Sequence, residues 1–564
     1  MPTKIKGRLV SLFLLFFSVF ILITLYLFYL QCFAGERYRK LADKIYHQRK
    51  ERLLAERGAI WDRRGRLLAF SEITSFLQID WPYLKGDTLT KAIEVISRYF
   101  PKIAESLPFY RNKSRERFFC TIKYEEGKNL NQILRKENLF HAVRAKENFH
   151  RHYPIAYFTN VLGEVSEAER KGLWGLELVG ERFLRGKDGF IIYQKDASGR
   201  TFPYPAYPRE DPEKGADIYL TLDKDFMEIS FEELKKGVEE FRAKKGAVLI
   251  LNCSTGEVLA MVDYPLYDVE AQFLRPYSLL WEFEPGSVFK FLIAALALES
   301  KERDKFLARK YDVSSGEVKI GKERIKEYHN KKLGVISFSD IIAFSSNCGV
   351  TLLTFDLPVR DYYSLLVDFG FNCLTGIELE ERRGYVPALG LLKKGKNCPP
   401  HLYACNSFGQ GLRATLMQLA SAYMAIANGG LLLRPYLIKE VRKEGKKIFS
   451  KEKLVVRRVI SESAAEMLRE VLSSVCEKGT GKNAQIKGLS VCGKTGTGEK
   501  PLSGGRGYSD KAVTTFIGFF PKDSPKYLIA VMLDEPKGPA AENAAIIFKQ
   551  IGEKIWFLSQ FAEL

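Results

Sequence analysis

The chain has 564 residues, 46% of them hydrophobic and 27% charged, with a formal net charge of +19. That length excludes one ordinary domain, since roughly 150 residues per domain gives three or four units, and the apolar share excludes disorder as the main state. The surplus of 87 Lys and Arg over 68 Asp and Glu calls for an anionic neighbour: nucleic acid, a membrane surface or an acidic polymer.

The first element is decisive. Residues 9–30 read LVSLFLLFFSVFILITLYLFYL, with no charge, and at about 1.5 Å per residue such a helix crosses a bilayer's hydrocarbon core. A cleaved signal peptide would have a shorter apolar core, and Cys32-Phe33-Ala34 is a poor small-x-small cleavage site, so a retained transmembrane helix is expected over residues 9–31. Lys4, Lys6 and Arg8 precede it, which places residues 1–8 in the cytoplasm and the remainder outside the cytoplasmic membrane. An external chain has no cytosolic nucleic-acid role, and the positive charge is better matched to anionic lipid or wall polymer.

Residues 36–57 are basic and lack Pro, and after Gly35 they read as a helical stalk continuing the anchor. RGAIWDRRGRLLA (57–69) then suggests a hairpin turning at Asp62-Arg63-Arg64-Gly65. From there to residue 215 the chain is mixed and Gly-punctuated, an irregular α+β or β-rich domain over 36–215 without catalytic signals. A second domain is expected over 216–564: a strand ending at Thr221-Leu222-Asp223, a long amphipathic helix capped by Asp223, and a hairpin of AVLILN (247–252) and EVLAMV (257–262). TTFIGFFP (514–521) and KYLIAVMLDEP (526–536) add two strands and 540–561 a closing helix. Strands at both ends of a helical middle imply an α+β domain whose antiparallel sheet is assembled from distant parts of the chain.

Nine cysteines (Cys32, Cys120, Cys253, Cys348, Cys373, Cys398, Cys405, Cys476, Cys492) contain no Cys-x-x-Cys pair, so neither a zinc site nor a disulfide framework can be read. In an external domain they suggest buried free thiols or a reducing habitat. The six histidines contain no His-Glu-x-x-His, and His150 and His152 are read as lying on opposite faces of an extended segment. No metal and no cofactor are expected.

Three short motifs carry chemistry. Pro285-Gly286 makes a turn, and Ser287-Val288-Phe289-Lys290 opens the helical run FLIAALALE, which sets Lys290 one turn from Ser287 on the same face. A serine nucleophile beside an amine base fits that arrangement. Alone the pattern is weak, because Ser450-Lys451-Glu452-Lys453 matches it in a charged loop. Ser345-Ser346-Asn347 follows the helical stretch FSDIIAF, and Lys494-Thr495-Gly496-Thr497 follows the alternating LSVCG. Each is by itself an ordinary cap, turn or strand fragment, but the order Ser-x-x-Lys, Ser-x-Asn, Lys-Thr-Gly is the motif set of serine β-lactamases and penicillin-binding proteins. Residues 488–495 also satisfy the P-loop pattern G-x-x-x-x-G-K-[ST]; a P-loop must follow a strand and open a helix, whereas 489–492 look like the strand itself and GTGEKPLSGGRG is no helix.

With these motifs the chain resembles the class B penicillin-binding proteins along nearly its whole length. RGAIWDRRGRLLA, Arg151-His152-Tyr153-Pro154 and GLWGLE (172–177) look like their non-catalytic boxes, and GADIYLTLD, SFGQGL (407–412), Gly479-Thr480-Gly481 and FIGFFP like further landmarks. The resemblance implies a single anchor, a non-catalytic pedestal or dimerisation domain, and a serine β-lactamase-like transpeptidase domain with an antiparallel sheet and a helical subdomain. It implies cross-linking of peptidoglycan stem peptides, donor D-Ala-D-Ala and amine acceptor, with β-lactam antibiotics as covalent inhibitors and no cofactor. Glu284-Pro285-Gly286 and Asn347 look like the division-type (FtsI-like) branch, for which the family implies a SEDS-type (FtsW-like) glycosyltransferase and other division proteins as partners. The alternatives are an elongation-type member, a membrane-anchored β-lactamase and a β-lactam sensor; no Glu-x-x-x-Asn between the second and third motifs supports a lactamase's water-activating base.

Carried over residue by residue, the family assigns Ser287 as nucleophile and Lys290 as base, kept neutral by burial and by the charge of Lys494. Ser345 relays a proton, Asn347 binds the donor's peptide group, and Lys494, Thr495 and Thr497 hold the terminal carboxylate. Backbone N–H groups of Ser287 and Thr497 form the oxyanion hole, and Gly496 leaves room for substrate along the strand. Two departures stand out: Glu499, where relatives more often carry a small or apolar residue, and Cys492, read as a packed thiol two residues before Lys494.

Overall fold

A computed structural model describes residues 3–38, 49–79, 84, 86–101, 118–140, 142–166, 169–195, 201–203, 208–267, 276–393, 401–502 and 507–562. Its contacts divide the chain into two compact units, Met1–Glu56 with Gly186–Lys214, and Arg57–Arg185 with Gly215–Leu564.

In the first unit the helix Thr3–Cys32 carries the apolar run. Its stretch Gly7–Cys32 is 26 residues long with mean hydropathy 2.7 and is long and apolar enough to cross a membrane. The hydroxyls of Ser18 and Thr24 donate back to the carbonyls of Leu14 and Phe20, each at 2.8 Å, so neither polar group is left unpaired on an apolar surface. The expected stalk does not run as one helix. Residues 39–48 lie outside the described part, and Arg49–Leu53 is a strand paired antiparallel with Gly189–Lys195, which pairs in turn with Thr201–Pro203. Helix-compatible composition is overridden here by pairing with a partner about 140 residues away, a term local propensity cannot contain. Asp188 secures the strand end, accepting from Arg52 Nε at 2.5 Å and Ala55 N at 2.7 Å.

The second unit holds two main sheets. One runs in the order Lys446–Ser450, Ile438–Lys443, Asp217–Leu220, Ile60–Trp61, Leu67–Ile79 and Phe118–Lys123, with Val143–His152 also paired to Leu67–Ile79. The hairpin near residue 62 is present because Asp62 accepts from the N–H groups of Arg64 and Arg66 at 2.9 and 2.8 Å, while Gly65 takes the left-handed φ of 76° that the turn requires. Arg66 then bridges Asp62 to Asp223 and Asp225 at 2.7, 3.0 and 2.5 Å, tying the turn to the helix Lys224–Glu240, which Asp223 caps as expected. The three non-catalytic boxes meet at buried Glu177, which receives Arg57 Nε and Arg151 Nε at 2.7 Å each. His150 and His152 correct the reading made above: residues two apart in a strand share a face, and their rings lie 4.7 Å apart.

The other sheet is antiparallel throughout, in the order Val258–Tyr264, Lys245–Asn252, Tyr527–Asp534, Tyr508–Phe520, Cys492–Pro501. Helices Lys224–Glu240 and Ala544–Ala562 pack beside it, as do Leu416–Ala427 and Glu462–Glu477. With helices on both faces, the inner strands Lys245–Asn252 and Tyr527–Asp534 bury nearly every residue and read as largely apolar runs. Lys494 and Thr495 lie inside the Cys492–Pro501 strand rather than opening a helix, so the P-loop reading fails on context. Seven described cysteines are free thiols, four of them buried; Cys492 is among these, its Sγ 3.2 Å from the Arg469 carbonyl.

Candidate active site

The turn at Pro285 and Gly286 feeds a 3-10 helix, Gly286–Lys290, before the α-helix Phe291–Glu299 begins. The sequence suggested an α-helix opening at Ser287; a three-residue repeat instead aligns Ser287 and Lys290 directly above one another. Gly286 has φ 59°, and a Cβ there would stand 2.2 Å from the Thr497 carbonyl. Its N–H donates to the Gly409 carbonyl at 3.2 Å, so the SFGQGL landmark is the floor beneath the serine turn. A Cβ on Gly496 would meet Thr515 Oγ1 at 2.5 Å, Val288 Cγ1 at 2.7 Å and the Pro285 carbonyl at 2.8 Å. The space left by that glycine therefore goes to the serine-bearing turn, which corrects the expectation that substrate uses it.

Lys290 is completely buried, and its Nζ lies 3.0 Å from Ser287 Oγ, 2.7 Å from Asn347 Oδ1, 2.6 Å from the Ser345 carbonyl and 3.2 Å from Ser345 Oγ. Lys494, also completely buried, reaches Ser345 Oγ at 2.9 Å and the Thr495 carbonyl at 3.1 Å. Ser345 Oγ thus lies between two amines. Ser287, Ser345, Asn347, Thr495, Gly496 and Thr497 all line one open cleft of about 580 Å³. Ser450 and Lys453 are exposed, with Ser450 ending the outermost strand of the other sheet, and belong to no such cluster.

Burial is the first cause of both lysines' electrostatics. It lowers Lys290 to about 7, although the field of Glu327 pulls the other way. It lowers Lys494 well below its usual range too, with the charge on Lys290 adding to the effect. Two amines joined through one hydroxyl cannot both carry a proton cheaply. The charge repulsion expected from Lys494 onto Lys290 runs the other way, from Lys290 onto Lys494, and Lys290 itself is lowered by desolvation.

One residue at the site carried no sequence signal, and a second was legible only as part of a family landmark. Glu327, buried, sits in the charged stretch ERIKEYHNKK (323–332), which reads as a solvated surface. Its carboxylate accepts from the N–H groups of Asn347 and Cys348 at 2.8 and 3.3 Å and from the Ser346 hydroxyl, holding the start of the helix Asn347–Thr354. That clamp fixes the turn in which Ser345 adopts φ 60°, a left-handed conformation costing about 1–2 kcal/mol. Thr480 is the second: its hydroxyl lies 2.8 Å from that of Thr495, and its N–H donates to the Ala343 carbonyl at 3.0 Å, so the Gly479-Thr480-Gly481 landmark bridges the second and third motifs.

With this geometry in view, comparison with known proteins is specific. Residues 246–553 match the penicillin-binding protein transpeptidase domain and residues 52–220 the penicillin-binding protein dimerisation domain. The chain is 29% identical to stage V sporulation protein D of Bacillus subtilis (95% of this chain, 82% of that one) and 32% to the probable peptidoglycan D,D-transpeptidase PenA of Neisseria meningitidis (86% and 81%). It is 29% identical to the peptidoglycan D,D-transpeptidase FtsI of Buchnera aphidicola (89% and 86%). Penicillin-binding protein 2X from Streptococcus thermophilus shares the fold with TM-score 0.71 at 22% identity, covering 91% of this chain and 81% of that structure. The chain belongs to the penicillin-binding protein family with a dimerisation and a transpeptidase domain.

Proposed function

We propose that Ser287 is the acylating nucleophile of a peptidoglycan D,D-transpeptidase that cross-links stem peptides during septal wall synthesis. One observation carries the reading: a fully buried amine, Lys290 Nζ, stands 3.0 Å from Ser287 Oγ with its protonation displaced toward neutrality. Neutral Lys290 takes the Ser287 proton as Oγ attacks the carbonyl of the penultimate D-alanine. The oxyanion is met by the N–H groups of Ser287 and Thr497, where one lost donor costs roughly 10²–10³ in rate. The C–N bond to the terminal D-alanine breaks as Ser345 passes a proton to the departing amine, leaving an ester on Ser287. Asn347 orients the donor's peptide group, and Lys494, Thr495 and Thr497 hold the terminal carboxylate. An acceptor amine then attacks the ester, forming the amide cross-link, and its proton returns through Lys290 to Ser287.

The septal assignment is supported by Glu284-Pro285-Gly286 and Asn347 in this chain and by the FtsI-named relative. The same reading takes the N-terminal helix as a cytoplasmic-membrane anchor with residues 1–8 inside and the catalytic part outside, and an FtsW-like glycosyltransferase with other division proteins as partners. A fluorescent penicillin is expected to label the wild type covalently and to leave a folded Ser287→Ala unlabelled; an unlabelled wild type overturns the acyl-transfer reading. Depletion in the host is expected to give filaments, and rounded cells would assign the protein to elongation instead.

A further inference from the structure

Among the described residues, the strand Cys492–Pro501 has one neighbour in the sheet, Tyr508–Phe520. Its free edge is a template for an extended peptide. Along it, Thr495, Thr497 and Glu499 alternate onto one strand face and all line the cleft. Successive residues of such a strand advance about 3.3 Å, so Glu499 stands roughly 7 Å beyond Thr497, away from Lys494.

Glu499 is half-buried, and its Oε2 accepts one long bond, 3.4 Å, from Gln410 Nε2. Among the described residues it has no ion pair, on a chain carrying +19. Burial raises its pKa, and its own field helps to raise that of Glu284. Glu284 is otherwise accounted for, accepting from Gly411 N at 3.2 Å and Tyr508 Oη at 3.1 Å. Glu499 is the carboxylate whose bonding is incomplete, and a buried charge in that condition favours a cationic partner.

Peptide geometry names the partner. With the terminal carboxylate at Lys494 and Thr495 and the scissile carbonyl at Ser287 and Thr497, the residue preceding the D-Ala pair falls beside Glu499. Donor and acceptor are the same kind of stem peptide, so a side-chain amine that serves as acceptor in one strand is also carried by the donor in the other. We propose that Glu499, steadied by Gln410, is a specificity residue that binds the side-chain ammonium of the donor stem peptide at the residue preceding D-Ala-D-Ala. The proposal rests on the acyl-transfer reading of Ser287.

The test measures acylation rate constants of the full chain in detergent with three penicillins differing in one side-chain group: ammonium, hydrogen or carboxylate. The wild type is expected to favour ammonium over carboxylate by roughly five- to tenfold. Glu499→Gln should flatten that ratio and Glu499→Lys invert it, with circular dichroism confirming that both variants fold. A parallel pair of peptide donors, with the lysine before D-Ala-D-Ala free or acetylated, should show the same preference in acylation. Labelling without charge discrimination overturns this proposal and leaves Ser287 standing, whereas no labelling of the wild type defeats the earlier reading. If Glu499→Gln changes only the KM for the acceptor amine, the ammonium belongs to the acceptor and the donor assignment is refuted.

Discussion

Two buried polar clusters lie in the same compact unit and behave oppositely. At Glu177, Arg57 and Arg151 meet one carboxylate at 2.7 Å each, Arg57 Nη1 adds Glu181 at 2.6 Å, and the Arg151 guanidinium also donates to the Gly58 carbonyl at 2.8 Å. Around Ser287, two completely buried lysines touch hydroxyls, carbonyls and an amide, and among the described residues no carboxylate contacts either. Opposite charges in contact offset desolvation, so the Glu177 cluster serves as a fastening between distant segments. Amines buried without a counter-charge lose hold of their protons, and that suits Lys290 to the proposed role of base.

Breaking the comparison starts with Lys290→Met. Acylation by penicillin is expected to fall by on the order of a thousandfold or more, measured as loss of label in stopped time points. Removing a desolvated amine should at the same time raise the unfolding midpoint, an effect partly offset because the Ser345 carbonyl and Asn347 Oδ1 lose their donor. Glu177→Ala should do the reverse. It leaves the buried Arg151 guanidinium without a carboxylate and Arg57 with Glu181 alone, and is expected to cost about 3–5 kcal/mol, seen in urea unfolding, with Ser287 still reactive in whatever fraction remains folded.

Acidity separates the clusters next. Lys290 must be neutral to act, and its pKa is lowered to about 7, so acylation should rise with pH through about 7 and drop off below it. The sign for stability follows from the same shift. Between about 7 and the ordinary lysine range the unfolded chain holds more protons than the folded one, so this group's contribution to stability rises with pH across that window. The smallest expected effect is at Glu327→Gln, which keeps the clamp's shape but removes the charge that favours protonated Lys290. Its acid limb should move to lower pH by a fraction of a unit, with a few-fold loss in rate from the weakened turn; an unmoved limb would mean Glu327 acts through packing alone.

Local chemistry explains what could be read without the structure. The hairpin near residue 62, the Asp223 cap and the catalytic-domain strands each depend on residues within a turn or two, so they were legible. The strand at Arg49–Leu53 depends on Gly189–Lys195, and no window around residue 50 contains that partner. At the site, Ser287, Lys290, Ser345, Asn347 and Lys494 were legible because three motifs in order restrict one another. Glu327 was not, and Thr480 was legible as a landmark without a role: a glutamate in a basic run and a threonine between glycines are ordinary until folding sets them against Asn347 and Thr495. The role of Gly496 was misread because sequence shows that a side chain is missing but not which neighbour fills its place.

The order of strands in the catalytic sheet also dictates when the enzyme can exist. Lys245–Asn252 is flanked by Val258–Tyr264, available at once, and by Tyr527–Asp534, with Val248 facing Val531. While the chain is being made, the first hairpin must wait with one edge open for nearly three hundred residues, and the turn that carries Ser287 waits with it. Such long-range closure makes assembly slow, and a product ending before Tyr527, which has all three motifs but lacks the strand joining Lys245–Asn252 to Tyr508–Phe520, is expected to be inactive.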